Sequence, residues 1–136
     1  MTADEVIALA GAGDVAGLAE ALDLGSDPDA RGARGWTPLI AAARNGHIEV
    51  VDLLLGRGVS PDRTNPNGTT PLMYAKTHAF ASGDFSVMDA LLKAGADINA
   101  VDAAGLTVLD YTEDRSAALI AWLGAHAARR ATDMSG

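Results

Sequence analysis

Gly35-Trp36-Thr37-Pro38-Leu39-Ile40-Ala41-Ala42-Ala43-Arg44-Asn45-Gly46, continued by His47 through Gly58, reads as two short helices, each closed by glycine. Thr37 suits a helix N-cap, because its hydroxyl can accept a bond from a free backbone N–H of the first turn. Pro38 fits the first helical position, where no N–H is needed. Leu39, Ile40, Ala42 and Ala43 follow at helical spacing, and Asn45-Gly46 stops the run with residues that tolerate positive φ. Val50, Val51, Leu53, Leu54 and Leu55 form a second apolar helix that ends at Gly58. Neither helix is long enough to be stable alone, so each must bury its face against neighbours.

The flanking sequence supplies those neighbours as weaker copies. Gly13, Gly46 and Gly83 end a first helix in three copies, and Gly25, Gly58 and Gly95 end a second. Gly13 to Gly46, Gly25 to Gly58 and Thr37-Pro38 to Thr70-Pro71 are each 33 residues apart, while Gly58 to Gly95 is 37. The third unit therefore carries four extra residues, which predict one added turn, about 6 Å, in its first helix and loop. A period of 33 defines a stacked architecture in which each unit buries its apolar face against the next.

Gly35-x-Thr37-Pro38-Leu39-x-x-Ala42-Ala43-x-x-Gly46-His47-x-x-Val50-Val51-x-Leu53-Leu54-Leu55-x-x-Gly58 resembles an ankyrin repeat. So do Gly68-x-Thr70-Pro71-Leu72 and Leu91 through Ala100. One departure stands at Ile40 and Met73, where the family carries His, so the hydrogen bonds made by that His are not implied here. The resemblance extends to about residue 127. It implies an all-α solenoid of stacked helix-turn-helix units with short β-hairpin-like fingers. The units fall at about 4–30, 31–63, 64–100 and 101–127, in one domain over 1–127, and residues 128–136 are expected to be a disordered tail. It also implies a module that binds another protein through a concave face made by the fingers and first helices.

Composition narrows the chemistry. Apolar residues make up 49% of the chain but aromatics only 4%, so the core must be built from Ala, Leu, Val and Ile. There is no Cys, which removes disulfides, thiolate metal sites and a Cys nucleophile. No basic residue precedes an apolar run at the N-terminus, and no apolar stretch would cross a membrane; the expectation is a cytoplasmic protein without membrane contact. Eight Arg against two Lys, with abundant Ala, suggests a GC-rich bacterial gene. The net charge of −8 argues against nucleic acid as a partner. Its distribution is uneven: residues 1–30 carry −7, residues 31–76 carry +3 and residues 77–136 carry −4.

That basic centre holds most of the candidate binding residues: Arg31, Arg34, Trp36, Arg44, Asn45, Arg63, Asn65 and Asn67, joined by His78 and Phe80 from the extended unit. The resemblance places Trp36, Arg44 and Asn45 at positions the family leaves variable. A Trp beside Arg residues is the composition of an interaction hot spot. The opposing reading packs Trp36 over the neighbouring finger and leaves the Arg residues as solubilising charge, and the two weigh about evenly. Arg63, Asn65 and Asn67 are good turn residues as well as hydrogen-bonding ones. Lys76, His78, Phe80 and Phe85 are candidates for one end of the concave surface; the opposing reading folds Phe80 back onto the second helix, and insertions in repeat proteins favour the first. His47 reads as structural; in the last unit Leu109 and Tyr111 begin the first helix, Ser116 replaces the turn glycine and Trp122 reads as a C-terminal core plug. A basic, aromatic face predicts a partner with an acidic surface patch and a chain that is monomeric when free.

No catalytic or metal constellation emerges. His47, His78 and His126 lie in different units without ligand spacing, and Asp29 and Asp62 recur 33 residues apart as turn acids. The glycines at 11, 13 and 17 read as a helix turn and not as a phosphate loop, since no strand precedes them. The expectation is no enzyme, no cofactor and no metal. The alternative is an enzyme or small-ligand protein using a groove beside the extended third unit, with Tyr74, Lys76 and His78 as its polar groups and perturbed titration there. A purely structural, self-associating module is the third reading.

Overall fold

The computed structural model describes residues 1–112, 116–126 and 128–129. They form α1 (Ala3–Ala12), α2 (Val15–Asp23), α3 (Pro38–Asn45), α4 (Ile48–Gly56), α5 (Pro71–Ser82), α6 (Ser86–Lys93), a 3₁₀ turn (Asp110–Thr112) and α7 (Ala117–Ala125). No strand occurs among the described residues. The first helices α1, α3 and α5 lie side by side, as do the second helices α2, α4 and α6. The all-α solenoid is therefore the architecture observed.

Helices α1, α2, α3, α5 and α7 begin where the sequence supplies a side-chain acceptor, and α4 and α6 begin without one. The Thr37 hydroxyl accepts from Ile40 N–H at 3.3 Å and the Thr70 hydroxyl from Met73 N–H at 3.2 Å. Ile40 and Met73, the departures from the family pattern, are buried, so these positions add core instead of polar contacts. In α1, Thr2 and Glu5 form a reciprocal capping box. Gly13, Gly46 and Gly83 close the first helices at φ of 75°, 74° and 75°, a region costly for a residue with a Cβ. The core runs the length of the stack through Leu18, Leu39, Leu54, Leu72, Met88, Leu91, Leu119 and Leu123. Ala10, Ala42, Ala43, Ala75 and Ala79 let the first helices approach closely.

The fingers repeat one hydrogen-bond pattern. Gly32 N–H donates to Trp36 O and Gly35 N–H to Gly32 O, both at 2.9 Å. Asn65 and Gly68 make the same pair in the second finger, and Asp102 and Gly105 in the third. These positions are 33 and then 37 residues apart, so register survives the insertion. All four extra residues enter a helix: α5 has 12 residues where α3 has 8.

The last unit corrects three expectations. Its first helix, expected to begin at Leu109 and Tyr111, is a 3₁₀ turn in the described residues. The Thr112 hydroxyl donates to Val108 O at 3.1 Å, and such back-bonding competes with helical continuation. Ser116, expected as a stand-in for the turn glycine, is instead the N-cap of α7, accepting from Leu119 N–H. Residues 128 and 129, expected to belong to a disordered tail, are held at the end of the stack. Ala128 packs on the core, its N–H donates to Leu123 O, and Arg129 N–H donates to Asn99 Oδ1 at 2.7 Å. The rest of the expected tail, 130–136, lies outside the described residues. Trp122 does plug this end: its ring stacks on Phe85 at 5.3 Å and on His126 at 4.0 Å. Phe85 is therefore committed to α7 and does not join the finger face.

Candidate functional site

The fingers and the first helices share one face, and its character changes along the stack. Between α1, the first finger and α3 lies a groove of about 470 Å³. It is lined by Asp4, Ile7, Ala8 and Gly11 of α1, by Gly32, Ala33 and Arg34 of the finger, and by Trp36, Ala41 and Asn45. The equivalent location one unit on is filled by the chain itself. Register pairs Gly32 with Asn65, Ala41 with Tyr74 and Gly11 with Arg44. There Asn65 Nδ2 donates to the Tyr74 hydroxyl at 2.8 Å, the Tyr74 ring meets Trp36 edge-on at 5.6 Å, and Arg44 lies over Trp36 at 5.3 Å.

The same substitutions explain how each finger is held. Asn65 Oδ1 accepts from Asn67 and Thr69 N–H, and Asp102 Oδ1 accepts from Ala104 and Leu106 N–H. Gly32 has no such side chain. Asp4 of α1 reaches this finger from outside and accepts from a different group, Ala33 N–H, at 3.1 Å. A Cβ on Gly32 would strike Asp4 and the Ile7 side chain. The first finger is thus supported by the preceding helix, while the second and third support themselves.

Several predicted binding residues prove to be joints of the stack. Arg31 donates to Gly35 O at 2.6 Å and to Thr64 O at 3.0 Å, tying the first finger to the second. Arg63 pairs with Asp29 at 2.9 Å. Asn45 Nδ2 and His47 Nε2 both reach Gly11 O, at 2.8 and 2.9 Å. The His78 ring covers Gly46, as the His47 ring covers Gly13. Asn65 is engaged by its own finger and by Tyr74. Asn67 is exposed in side chain, and its carbonyl accepts from Ala103 N–H of the third finger. The residues that present chemistry outward near the groove are Arg34, Trp36 and Arg44. Trp36 packs against Tyr74 of α5 and also lines the groove.

Phe80 stands apart. It is 49% exposed and lines a cleft of about 250 Å³ with Lys76, Thr77, Tyr111, Thr112 and Leu119. This is the groove anticipated beside the extended unit, but only Lys76 of its three expected polar groups lines it. Lys76 Nζ sits 5.6 Å from the Tyr111 ring centre. The Tyr111 hydroxyl donates to Asp102 Oδ2, and this bond with partial burial pushes the phenol up to about 12. Burial works against ionisation of Asp102, yet the Tyr111 hydroxyl and the Leu106 and Ala104 N–H groups hold its carboxyl below the ordinary value.

A family model described as ankyrin repeats, in three copies, matches residues 6–109. The chain belongs to the ankyrin-repeat family. Ankyrin repeats are generally protein–protein interaction modules, and the family is typically non-catalytic. Similar proteins include the 2-5A-dependent ribonuclease of Mus musculus, 41% identical over 64 residues, which are 46% of this chain and 9% of that protein. Ankyrin repeat domain-containing protein 63 of Mus musculus is 31% identical over 69% of this chain and 24% of its own length. The inactive serine/threonine-protein kinase TEX14 of Mus musculus is 31% identical over 82% of this chain and 8% of its own length. The chain thus spans about a quarter or less of these relatives.

Of the residues that line the groove in this ankyrin-repeat chain, the sequence reading named Arg34, Trp36 and Asn45 and did not name Asp4, Ile7, Ala8, Gly11, Gly32, Ala33 and Ala41. The missed signal was in the register: Gly, Gly and Ala where the next unit has Arg, Asn and Tyr. No group of three or more His, Asp or Glu among the described residues is placed to hold a metal ion. No helix among them is long and apolar enough to cross a membrane.

Proposed function

We propose that this chain is a protein-binding module that engages an acidic partner surface through the concave face of its fingers and first helices. The observation that carries this reading is the open groove lined by Trp36 and Arg34, with Arg44 over the Trp36 ring. A half-buried Trp held by a guanidinium and a Tyr ring is a rigid anchor, and such anchors dominate interface energetics. Arg44 and Arg34 supply complementarity to carboxylates, which acts mainly on the association rate. The partner is a protein and not a nucleic acid or a membrane, and the module works as a cytoplasmic monomer.

The test is capture of partners from the source cell with the natural chain and with a folded Trp36→Ala/Arg44→Glu/Phe80→Ala variant. A protein held by the first and lost by the second is the expected result, with an on-rate that falls as salt rises. A partner held equally by both would move the interface to the second helices or to an end of the stack.

A further inference from the structure

Resting on that reading, we propose that the groove beside α1 receives one bulky aromatic or aliphatic side chain from an extended, acidic protein segment. The molecule itself shows what fits. One unit further along, the corresponding place is filled by Tyr74, whose ring abuts Trp36 and whose hydroxyl is held by Asn65. In the first groove the register substitutes Ala41 and Gly32, so the chain provides the walls and leaves the filling group to a partner.

The chemistry of the walls selects the occupant. Ile7, Ala8 and Ala41 are apolar, and Trp36 closes one side. At about 470 Å³ the groove is within the size range of small-ligand pockets and holds a large side chain with its adjoining backbone. The charges lining it are Asp4 and Arg34, and Arg44 lies over the Trp36 ring. Asp4 already accepts a bond from the finger. Arg34 lines the groove and Arg44 lies against Trp36, and both are exposed, which favours carboxylates next to the apolar anchor. The groove is bounded by α1, α3 and the first finger, and at about 470 Å³ it suits an extended segment more than a helix about 10 Å across.

Selection from a displayed library of random dodecapeptides tests this directly, with the intact chain as bait. The variants are Ala8→Phe, which fills the groove from an exposed helix position; Arg34→Glu/Arg44→Glu, which inverts both guanidinium charges; and Leu24→Ala, a distant control at an 81% exposed residue. Unfolding curves for each confirm that the fold is kept. The expected result is enrichment of peptides with a Leu, Ile, Met, Phe, Tyr or Trp flanked by Asp or Glu. Ala8→Phe should weaken them about tenfold or more, Arg34→Glu/Arg44→Glu should remove the preference for acid, and Leu24→Ala should do neither. A Trp122→Phe background leaves Trp36 as the sole indole, and its emission should shift when a selected peptide binds. Acidic peptides without an apolar anchor, insensitive to Ala8→Phe but lost on charge inversion, would overturn the groove assignment and leave the concave-face reading standing. Peptides insensitive to both variants would overturn both readings. A selection that enriches nothing would overturn the linear-segment inference, while the capture experiment still judges the module.

Discussion

The two grooves on the finger face are built by the same register and end differently. The one between α3 and α5 is closed by Asn65, Tyr74 and Arg44; the one between α1 and α3 is left open by Gly32, Ala41 and Gly11. The difference separates two duties that a repeat protein must share among its units. Where large side chains meet across an interface, they stabilise the stack. Where small ones meet, the same backbone leaves surface for a partner. Support for the finger follows the same division, internal in the second groove and borrowed from Asp4 in the first.

Tyr74→Ala is the substitution that should abolish this contrast. It removes the edge contact with Trp36 and the hydrogen bond to Asn65 from a half-buried site. A loss of about 2–3 kcal/mol in urea unfolding is expected, short of the 3–5 kcal/mol of a fully buried aromatic. Trp36 emission should shift to the red as a second opening forms. An unchanged midpoint would mean that Tyr74 merely occupies surface.

The third finger sharpens the comparison through pH. It uses Asp102 and Tyr111 where the second uses the neutral amide of Asn65. Tyr111→Phe should cost about 1–2 kcal/mol at neutral pH, as a hydrogen bond to a charged group. Asp102 has its folded pKa lowered, so its contribution is present above the ordinary Asp value and is lost as the pH falls through the folded one. Tyr111 is raised from 10.0 to about 12, so its contribution is full below the first value and lost as the pH rises through the second. Stability measured against pH should therefore fall away at both extremes in the natural chain and more shallowly in Tyr111→Phe. Parallel curves would assign the dependence elsewhere.

Asn65→Ala should cost about 1 kcal/mol, since two finger N–H groups and the Tyr74 hydroxyl lose a partner while staying near water. The smallest effect is expected for Asp4→Ala. Ala33 N–H loses its acceptor, so its hydrogen exchange should quicken by several-fold with global stability changed by no more than about 0.5 kcal/mol. Unchanged exchange at Ala33 would show that the first finger does not need α1.

Much of this was legible in the sequence because its signals are backbone requirements. Thr-Pro pairs and glycines at a fixed period specify caps and turns, and these fell where the residues demanded. The last unit was less legible because Thr107 is followed by Val108 and not by Pro, and because a Thr112 hydroxyl that bonds back leaves no periodic trace. Arg31, Arg63 and Asn65 looked like partner contacts because their donors suit a partner and a neighbouring finger equally. The groove was hidden for a different reason. It is made of Gly and Ala, which carry no chemistry to notice, and only comparison between equivalent positions exposes it.

The His78 ring over Gly46 has a consequence for how such chains are compared. His47 and His78 do the same job over successive glycines, yet they are 31 residues apart in a chain whose units repeat at 33 and 37. The added turn of α5 lets a side chain inside the helix reach the spot that, in the preceding unit, is reached from beyond its end. An alignment that matched histidine to histidine would open its gap in the wrong place and shift every finger after it. Superposition by the backbone pairs at the finger bases would put the gap back inside α5.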